Sequence, residues 1–440
     1  MKAIIVPRIT DLNKGDQALV WESHRLVKDT GLYNEVYILN SGGDNLEHER
    51  LCKQSEDRGF KFIDNILPHP RRDKHNNDEH IKESKSELFR LVKNATNDFI
   101  FTNKILNQCN DLEYIKKNYS HTIYSTVKHF SEADAIYVKG GGFIHAYGEK
   151  TAPYLMWYFL FYIRLAQRLK KKVIIFPNSF GPFDGFTVKD QVKSVLGKVD
   201  LLYARENVSS DKLGQLLNKN IKVEMDLGFF LKPGDDDVAL SVLKKYNLKE
   251  DDKIVGITIR PWRFPGLNNP EELYKKYLDS VEALVKQLLE KKYKVVFCNQ
   301  SIGPNSHEDD RNAIIELTNK FNNPDVIWLN ENLPCDILKT IYSKFNFFIG
   351  TRFHSIIFSI TSLVPSIAIG YGGNKAKGIM GDFNLDEYVV QIQDVNPTQL
   401  CEMFNSLELN QLSVKEELSN KMRLVTESRN RLIGDIKSLY

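Results

Sequence analysis

Short, uninterrupted apolar runs alternate with amphipathic stretches along this chain, and the alternation happens twice. A run such as Ala3–Val6 or Ile254–Ile259 has no polar face, so a strand made from it must be covered on both sides. Continuous apolar strands joined by helices imply parallel sheets in α/β layers. In the first half the expected strands are Ala3–Val6, Glu35–Leu39, Ala135–Val138, Val173–Phe176, Leu201–Tyr203 and Lys222–Glu224, with a helix over Asp16–Lys28. The pattern then restarts at Ile254–Ile259 and continues through Val295–Phe297, Val326–Leu329, Phe347–Ile349 and Ser366–Ile369, with a long helix over Glu271–Lys291. With 440 residues the chain is too long for one ordinary core, and two units of about 100–200 residues each fit it better.

The best linker is Leu231–Asp237, which combines Pro, Gly and a run of acids. The expected division is therefore 1–235 and 236–400, followed by a charged helical tail over 401–440. Residues 45 to about 130 are polar and weakly periodic, and read as a largely helical insertion with a loop around His69–His80. His69, His75 and His80 lack ligand spacing, so a solvated loop is expected there. The apolar stretch Pro153–Ile163 is ended by Arg164, well short of the roughly 20 residues a spanning helix needs. A buried helix is expected, and a membrane-facing helix followed by Arg168 and Lys170–Lys172 is the other reading.

Charge and cysteine usage narrow the function classes. Basic and acidic residues number 60 and 57, a net +3, whereas a nucleic-acid-binding domain would be strongly basic. Cys52, Cys109, Cys298, Cys335 and Cys401 are scattered, form no CxxC pair and are odd in number. That favours a reducing compartment over a disulfide framework or a zinc knuckle. The opening MKAIIVPRIT lacks an apolar core long enough for a secretory leader, and a cytoplasmic location is expected.

Polar and glycine clusters fall just after the expected strands, where ligands bind in open α/β sheets. Asn13-Lys14-Gly15-Asp16 follows the first strand, and Gly140-Gly141-Gly142 with His145 follows the strand at 135–138. Glycines there permit close backbone approach, and a helix starting after them could hold an anion. Asn178 and Ser179 follow the next strand and would offer hydrogen bonds to a ligand, with Gly181-Pro182 as a turn. Arg205 then suits a bidentate grip on a carboxylate or phosphate, unless it pairs with Glu206 or Asp226. In the second half Arg260, then Arg352-Phe353-His354, then Lys375 after Gly372-Gly373-Asn374 end three strands. Cations, glycines and one imidazole at neighbouring strand ends point to a phosphate-bearing anionic donor. His354 could carry a proton, since imidazoles titrate near working pH. Metal chemistry has no support here: Glu308-Asp309-Asp310 is the nearest acidic cluster, and a solvated loop is expected for it. Phosphate-loop, serine-elbow and HExxH patterns are absent.

Taken together, Asn13-x-Gly15-Asp16, Gly140–Gly142, Ser179–Pro182, Ala204-Arg205-Glu206 with Ser209, Asp226-x-Gly228, Gly350-Thr-Arg-Phe-His-Ser355 with Pro365, and Tyr371–Lys375 resemble the polysaccharide pyruvyl transferase family. The resemblance implies a GT-B-like α/β fold, two Rossmann-type parallel-sheet domains facing across a cleft. It implies transfer of a pyruvyl group from phosphoenolpyruvate, as co-substrate, to two hydroxyls of a sugar in a surface polysaccharide or its precursor. Phosphate is released and a ketal forms, without a cofactor or metal. Arg205, Arg352 and His354 are the expected catalytic residues, with Phe353, Arg260 and Lys375 completing the donor side. Asn13, Asp16, Gly141, Gly142, His145 and Asn178 are expected on the acceptor side, in the first domain. The acceptor would be a sugar or lipid-linked oligosaccharide, which leaves a position at the inner face of the membrane open. A nucleotide-sugar glycosyltransferase of the same fold is the rival reading, and a catalytically silent glycan-binding protein is a third.

Overall fold

The computed structural model of the protein describes residues 1–7, 10–41, 45–67, 85–303, 305–371 and 375–440. The histidine-bearing loop at His69–His80 and the stretch Gly372-Gly373-Asn374 lie outside the described residues. Two compact units are present. The first comprises Met1–Asp11, Leu19–Leu227 and Ser428–Tyr440, and the second Leu12–Ala18 and Gly228–Glu427.

The sheet of the first unit is built from β1 (Lys2–Val6), β2 (Glu35–Leu39), β3 (Lys61–Ile63), β4 (Ala135–Val138), β5 (Gly141–Tyr147), β6 (Lys172–Asp184), β7 (Leu201–Ala204) and β8 (Lys222–Val223). Its order is β3-β2-β1-β4-β6-β7-β8, with β5 alongside the outer part of β6, and every pairing is parallel. All four residues of β4 are buried, as an apolar run covered on both faces must be. Among the described residues of the 45–130 stretch most are helical, but they also supply the edge strand β3. Three residues with one buried apolar side chain carry too little pattern to read as a strand.

Two local expectations are corrected here. The glycine run after β4 opens a strand, β5, and not a helix, so no helix start lies there to bind an anion. Phe143 to Tyr147 alternate in burial, and the segment pairs with β6 through an irregular register. Likewise Pro177–Pro182 does not form a loop beyond a strand, because β6 continues to Asp184 and carries Gly181 at φ +76 inside it.

The second unit holds β9 (Ile254–Thr258), β10 (Lys294–Cys298), β11 (Val326–Leu329), β12 (Phe347–Gly350), β13 (Ser366–Gly370) and β14 (Val389–Gln391). These are parallel in the order β11-β10-β9-β12-β13-β14. β9 and β12 are therefore neighbours at the centre, and both are fully buried. The helix Lys14–Asp29 begins in this unit, through residues 12–18, and continues in the first. The final helix, Gln411–Lys437, begins in the second unit and ends in the first. In the first unit its Arg431 and Ser428 bind the Glu224 carboxylate, at 2.7–2.9 Å, and Asp435 accepts from Tyr203 Oη at 2.7 Å. Among the described residues no helix is long and apolar enough to cross a membrane. Pro153–Ile163 falls in the helix Ala152–Arg168, whose Met156, Leu160, Phe161 and Ile163 are buried.

His24 in the first unit gives a stability prediction. Burial, with Lys28 adding to it, depresses its imidazole from the ordinary 6.5 to about 4, and its ring lies 4.6 Å from that of Phe60. The unfolded chain takes up this proton below about 6.5, whereas the folded chain does not until about 4. Stability is thus intact above pH 6.5 and falls as pH drops towards 4, by roughly 3 kcal/mol in all. Urea unfolding across that range should show this slope, and His24→Gln should flatten it. Equal slopes in both proteins would refute the assignment.

Candidate active site

The carboxyl ends of β9, β12 and β13 in the second unit bring together Arg260, Arg352 to His354, and Tyr371. The turn after β12 is rigidly braced. Thr351 N donates to Thr258 O at 3.0 Å, and the Thr351 hydroxyl lies 2.8 Å from Tyr277 Oη. The Ser355 hydroxyl lies 2.7 Å from that of Thr258 and donates to Arg352 O at 2.6 Å. This fixes Arg352 at the cap of the helix Phe353–Ile360.

Arg352 is 5% exposed and clamped by two carboxylates. Its Nε donates to Asp310 Oδ1 at 2.8 Å, Nη1 to Glu308 Oε2 at 2.9 Å, and Nη2 to the Glu308 carbonyl at 2.9 Å. Asp310 also accepts from the backbone N–H groups of Gln300 and Ser301, at 3.0 and 2.9 Å. The expectation of a solvated acidic loop is therefore wrong for Asp310, which is 0% exposed. A buried guanidinium needs a partner, and this acid provides it. Burial opposes the charge on Arg352, but Asp310, Tyr371 and Glu308 together outweigh it and raise the guanidinium pKa.

Arg260 is as deeply placed, at 4% exposure. Its guanidinium lies against the rings of Trp262 and Tyr371, at 4.8 and 4.4 Å from their centroids. Its Nη2 also donates to Glu308 Oε1 at 3.2 Å, so one carboxylate bridges both arginines. Burial works to raise the Glu308 carboxyl, yet Arg352 and Arg260 prevail and hold it below the ordinary value.

His354 lies beside Phe353, with ring centroids 5.2 Å apart, and beside residues 13–16 of the same unit. Asn13 Oδ1 accepts from the N–H groups of Gly15 and Asp16, at 3.0 and 3.3 Å, as the cap of the helix Lys14–Asp29. Lys14 N donates to Gln300 O at 3.0 Å and Ile302 N to Leu12 O at 2.9 Å. A Cβ on Gly15 would stand 2.2 Å from His354 Nδ1, so no side chain fits there. Residues 13–16 were expected in the first domain, but by their contacts they belong with His354.

This gives a direct prediction for Gly15→Ala. In an open helix turn the change would stabilise by up to about 1 kcal/mol. Here it must displace the imidazole and should cost about 1–3 kcal/mol. A histidine moved by about 1 Å should lower turnover by roughly 100-fold. A stabilised, fully active variant would contradict the close contact.

In the first unit Arg205 forms the intradomain pairing that was its alternative reading. Nη1 donates to Asp226 Oδ2 at 2.7 Å and Nε to Ser179 Oγ at 2.7 Å, with Glu206 at 3.4 Å. Asn178 is fully buried. Its Nδ2 donates to the carbonyls of Lys139 and Phe176, tying β4 to β6. His145 lies on β5 and donates from Nδ1 to Gly142 O at 2.9 Å, with Gly141 at φ +144 starting the strand. Lys375 begins the helix Lys375–Asp382, and its side chain is outside the described residues. Among the described residues no cluster could hold a metal ion.

The residues missed from sequence are Gly15, Asp310, Glu308, Trp262 and Tyr371 as supports of the cationic group. One signal was available: an acidic triplet beyond the β10 strand, beside strand ends rich in arginine.

Comparison with known proteins bears on the fold and the family. The structure is similar to UGT73P12 of Glycyrrhiza uralensis, complexed with glycyrrhetinic acid 3-O-monoglucuronide, with a TM-score of 0.57, 10% identity, and 100% and 96% of the two chains covered. It is also similar to a glycosyltransferase from Rickettsia africae, with a TM-score of 0.52, 15% identity, and 100% and 98% covered. At these identities the likeness shows the fold, which is GT-B-like with two parallel-sheet α/β units. In sequence the chain is 22% identical over 309 residues to the amylovoran biosynthesis protein AmsJ of Erwinia amylovora, covering 69% of this chain and 72% of that one. The profile of polysaccharide pyruvyl transferases matches residues 13–373, and the chain belongs to the polysaccharide pyruvyl transferase family.

Proposed function

We propose that this enzyme transfers a pyruvyl group from phosphoenolpyruvate to two hydroxyls of one sugar, forming a cyclic ketal and releasing phosphate. The observation that carries the reading is the convergence of two buried guanidiniums, Arg260 and Arg352, on one carboxylate at the strand ends that also carry His354, in a member of this family. Phosphoenolpyruvate carries a carboxylate and a phosphate, and planar guanidiniums bind both in bidentate fashion. His354 delivers a proton to the methylene carbon as the first sugar hydroxyl adds to C2 and loses its own proton. The C2–O bond to phosphate then breaks, and phosphate departs with its electron pair. The second hydroxyl attacks C2, loses its proton and closes the ring. The scheme draws on no cofactor. On this reading Phe353 and Lys375 also serve the donor, Arg205 being held by Asp226 and Ser179 in the first unit, and Asn13, Asp16, Gly141, Gly142 and His145 serve the acceptor, a sugar or lipid-linked oligosaccharide. Asn178 is omitted because it is buried between strands.

The decisive measurement is phosphate release from phosphoenolpyruvate across a panel of sugar acceptors, beside a parallel panel of nucleotide sugars. Acceptor-dependent phosphate release with a mass gain of one pyruvyl ketal is expected. Turnover of a nucleotide sugar with no use of phosphoenolpyruvate would sink the proposal.

A further inference from the structure

We infer that Glu308 is a built-in occupant of the donor's anion site, displaced when the donor binds, so that its charge sets donor affinity. The inference rests on the reading that the donor is an anion held by Arg260 and Arg352. Each Glu308 oxygen meets a different guanidinium, Oε1 with Arg260 Nη2 at 3.2 Å and Oε2 with Arg352 Nη1 at 2.9 Å. That is how the carboxylate or phosphate of a ligand would bridge them.

The two acids of the clamp differ in kind. Asp310 is wholly buried at a helix start and fixed by two backbone N–H groups as well as by Arg352. The Glu308 side chain is 37% exposed, and its carboxylate contacts among the described residues are the two guanidiniums. Each arginine also has a hold that does not involve Glu308. Arg352 keeps Asp310, and Arg260 keeps the rings of Trp262 and Tyr371. Departure of Glu308 therefore leaves a formed site.

Charge accounting demands the exchange. Two guanidiniums and two carboxylates sum to zero, and adding a donor with a carboxylate and a phosphate would load a buried site with unbalanced negative charge. Moving the half-exposed Glu308 into water leaves net +1 for the ligand. Giving up two charge-assisted hydrogen bonds then weakens donor binding.

The test is calorimetric titration of the full chain and of Glu308→Gln, with phosphoenolpyruvate and, separately, with inorganic phosphate. The variant should bind both about 10-fold more tightly, or about 1.4 kcal/mol, with little change in unfolding midpoint. Equal or weaker affinity for both anions overturns the inference, because a carboxylate that only orients Arg352 would weaken binding when lost. If phosphate binding tightens but phosphoenolpyruvate binds neither protein, the inference stands and the proposed donor falls. If phosphoenolpyruvate binds both proteins alike and phosphate is unaffected, the donor stands and the inference falls. Should the glutamine variant fail to fold, Glu308→Asp keeps the charge but is one methylene too short to bridge both arginines. It should tighten phosphate binding at least threefold, and unchanged affinity there overturns the inference too.

Discussion

His354→Gln should lower turnover by about 10²–10⁴-fold while leaving phosphoenolpyruvate affinity within a few-fold, the range a positioned general acid contributes. Glutamine keeps a hydrogen-bond donor of similar reach but cannot deliver a proton to carbon. The position supports the role. His354 follows Arg352 by two residues in a turn braced by Thr258, Thr351 and Ser355. It also lies under a glycine that leaves room only for the ring. The competing role is an anchor between the helix Phe353–Ile360 and the start of the helix Lys14–Asp29. An anchor lost to glutamine would lower the unfolding midpoint, and activity would fall only with the folded fraction. Turnover, donor affinity and thermal unfolding measured together separate the two. Near-normal turnover in the variant would move the acid role elsewhere, with His145 as the next candidate.

Asp310→Asn should destabilise the fold by about 3–5 kcal/mol, the usual cost of removing one partner of a buried ion pair. The asparagine oxygen can still accept from Gln300 N and Ser301 N, so the main loss is the charge facing Arg352. That guanidinium would remain in a buried site with only the half-exposed Glu308 opposite it. Urea unfolding should show a lower midpoint at unchanged slope, which reports stability and not a changed denatured state. Glu308→Gln at the same pair of arginines should cost far less, because its carboxylate is partly in water. A loss below about 1 kcal/mol for Asp310→Asn would show that the pair contributes little.

The division between chain and fold is visible at particular residues. Strands such as Ala135–Val138 and Ile254–Thr258 were legible because a run buried on both faces leaves an unbroken apolar signature. Arg260, Arg352 and His354 were legible as strand-end residues because each follows an apolar run, whereas the pairing of β9 with β12, three strands apart in the chain, is what makes them neighbours. β3 and β14 were missed because three-residue strands carry almost no period. β5 was missed because its glycines resemble a turn before a helix, and only pairing with β6 makes them a strand.

What each acid and arginine does was decided by tertiary structure. Read along the chain, Glu308-Asp309-Asp310 is a run of exposed charge, and Arg205 is as apt for a ligand as for Asp226. Whether a charged group faces water, a ligand or a buried counter-ion depends on residues tens to hundreds of positions away, and local pattern holds no record of that distance. Gly15 is the sharpest case. Its need for a bare Cα is set by a histidine 339 positions along the chain, brought beside it when residues 12–18 fold into the second unit. The sequence by itself determined the α/β class, the two sheets and the strand ends that carry the chemistry, because burial and periodicity are local. Only the folded chain decided which charges are mutually neutralised, because desolvation and ion pairing are properties of the assembled interior.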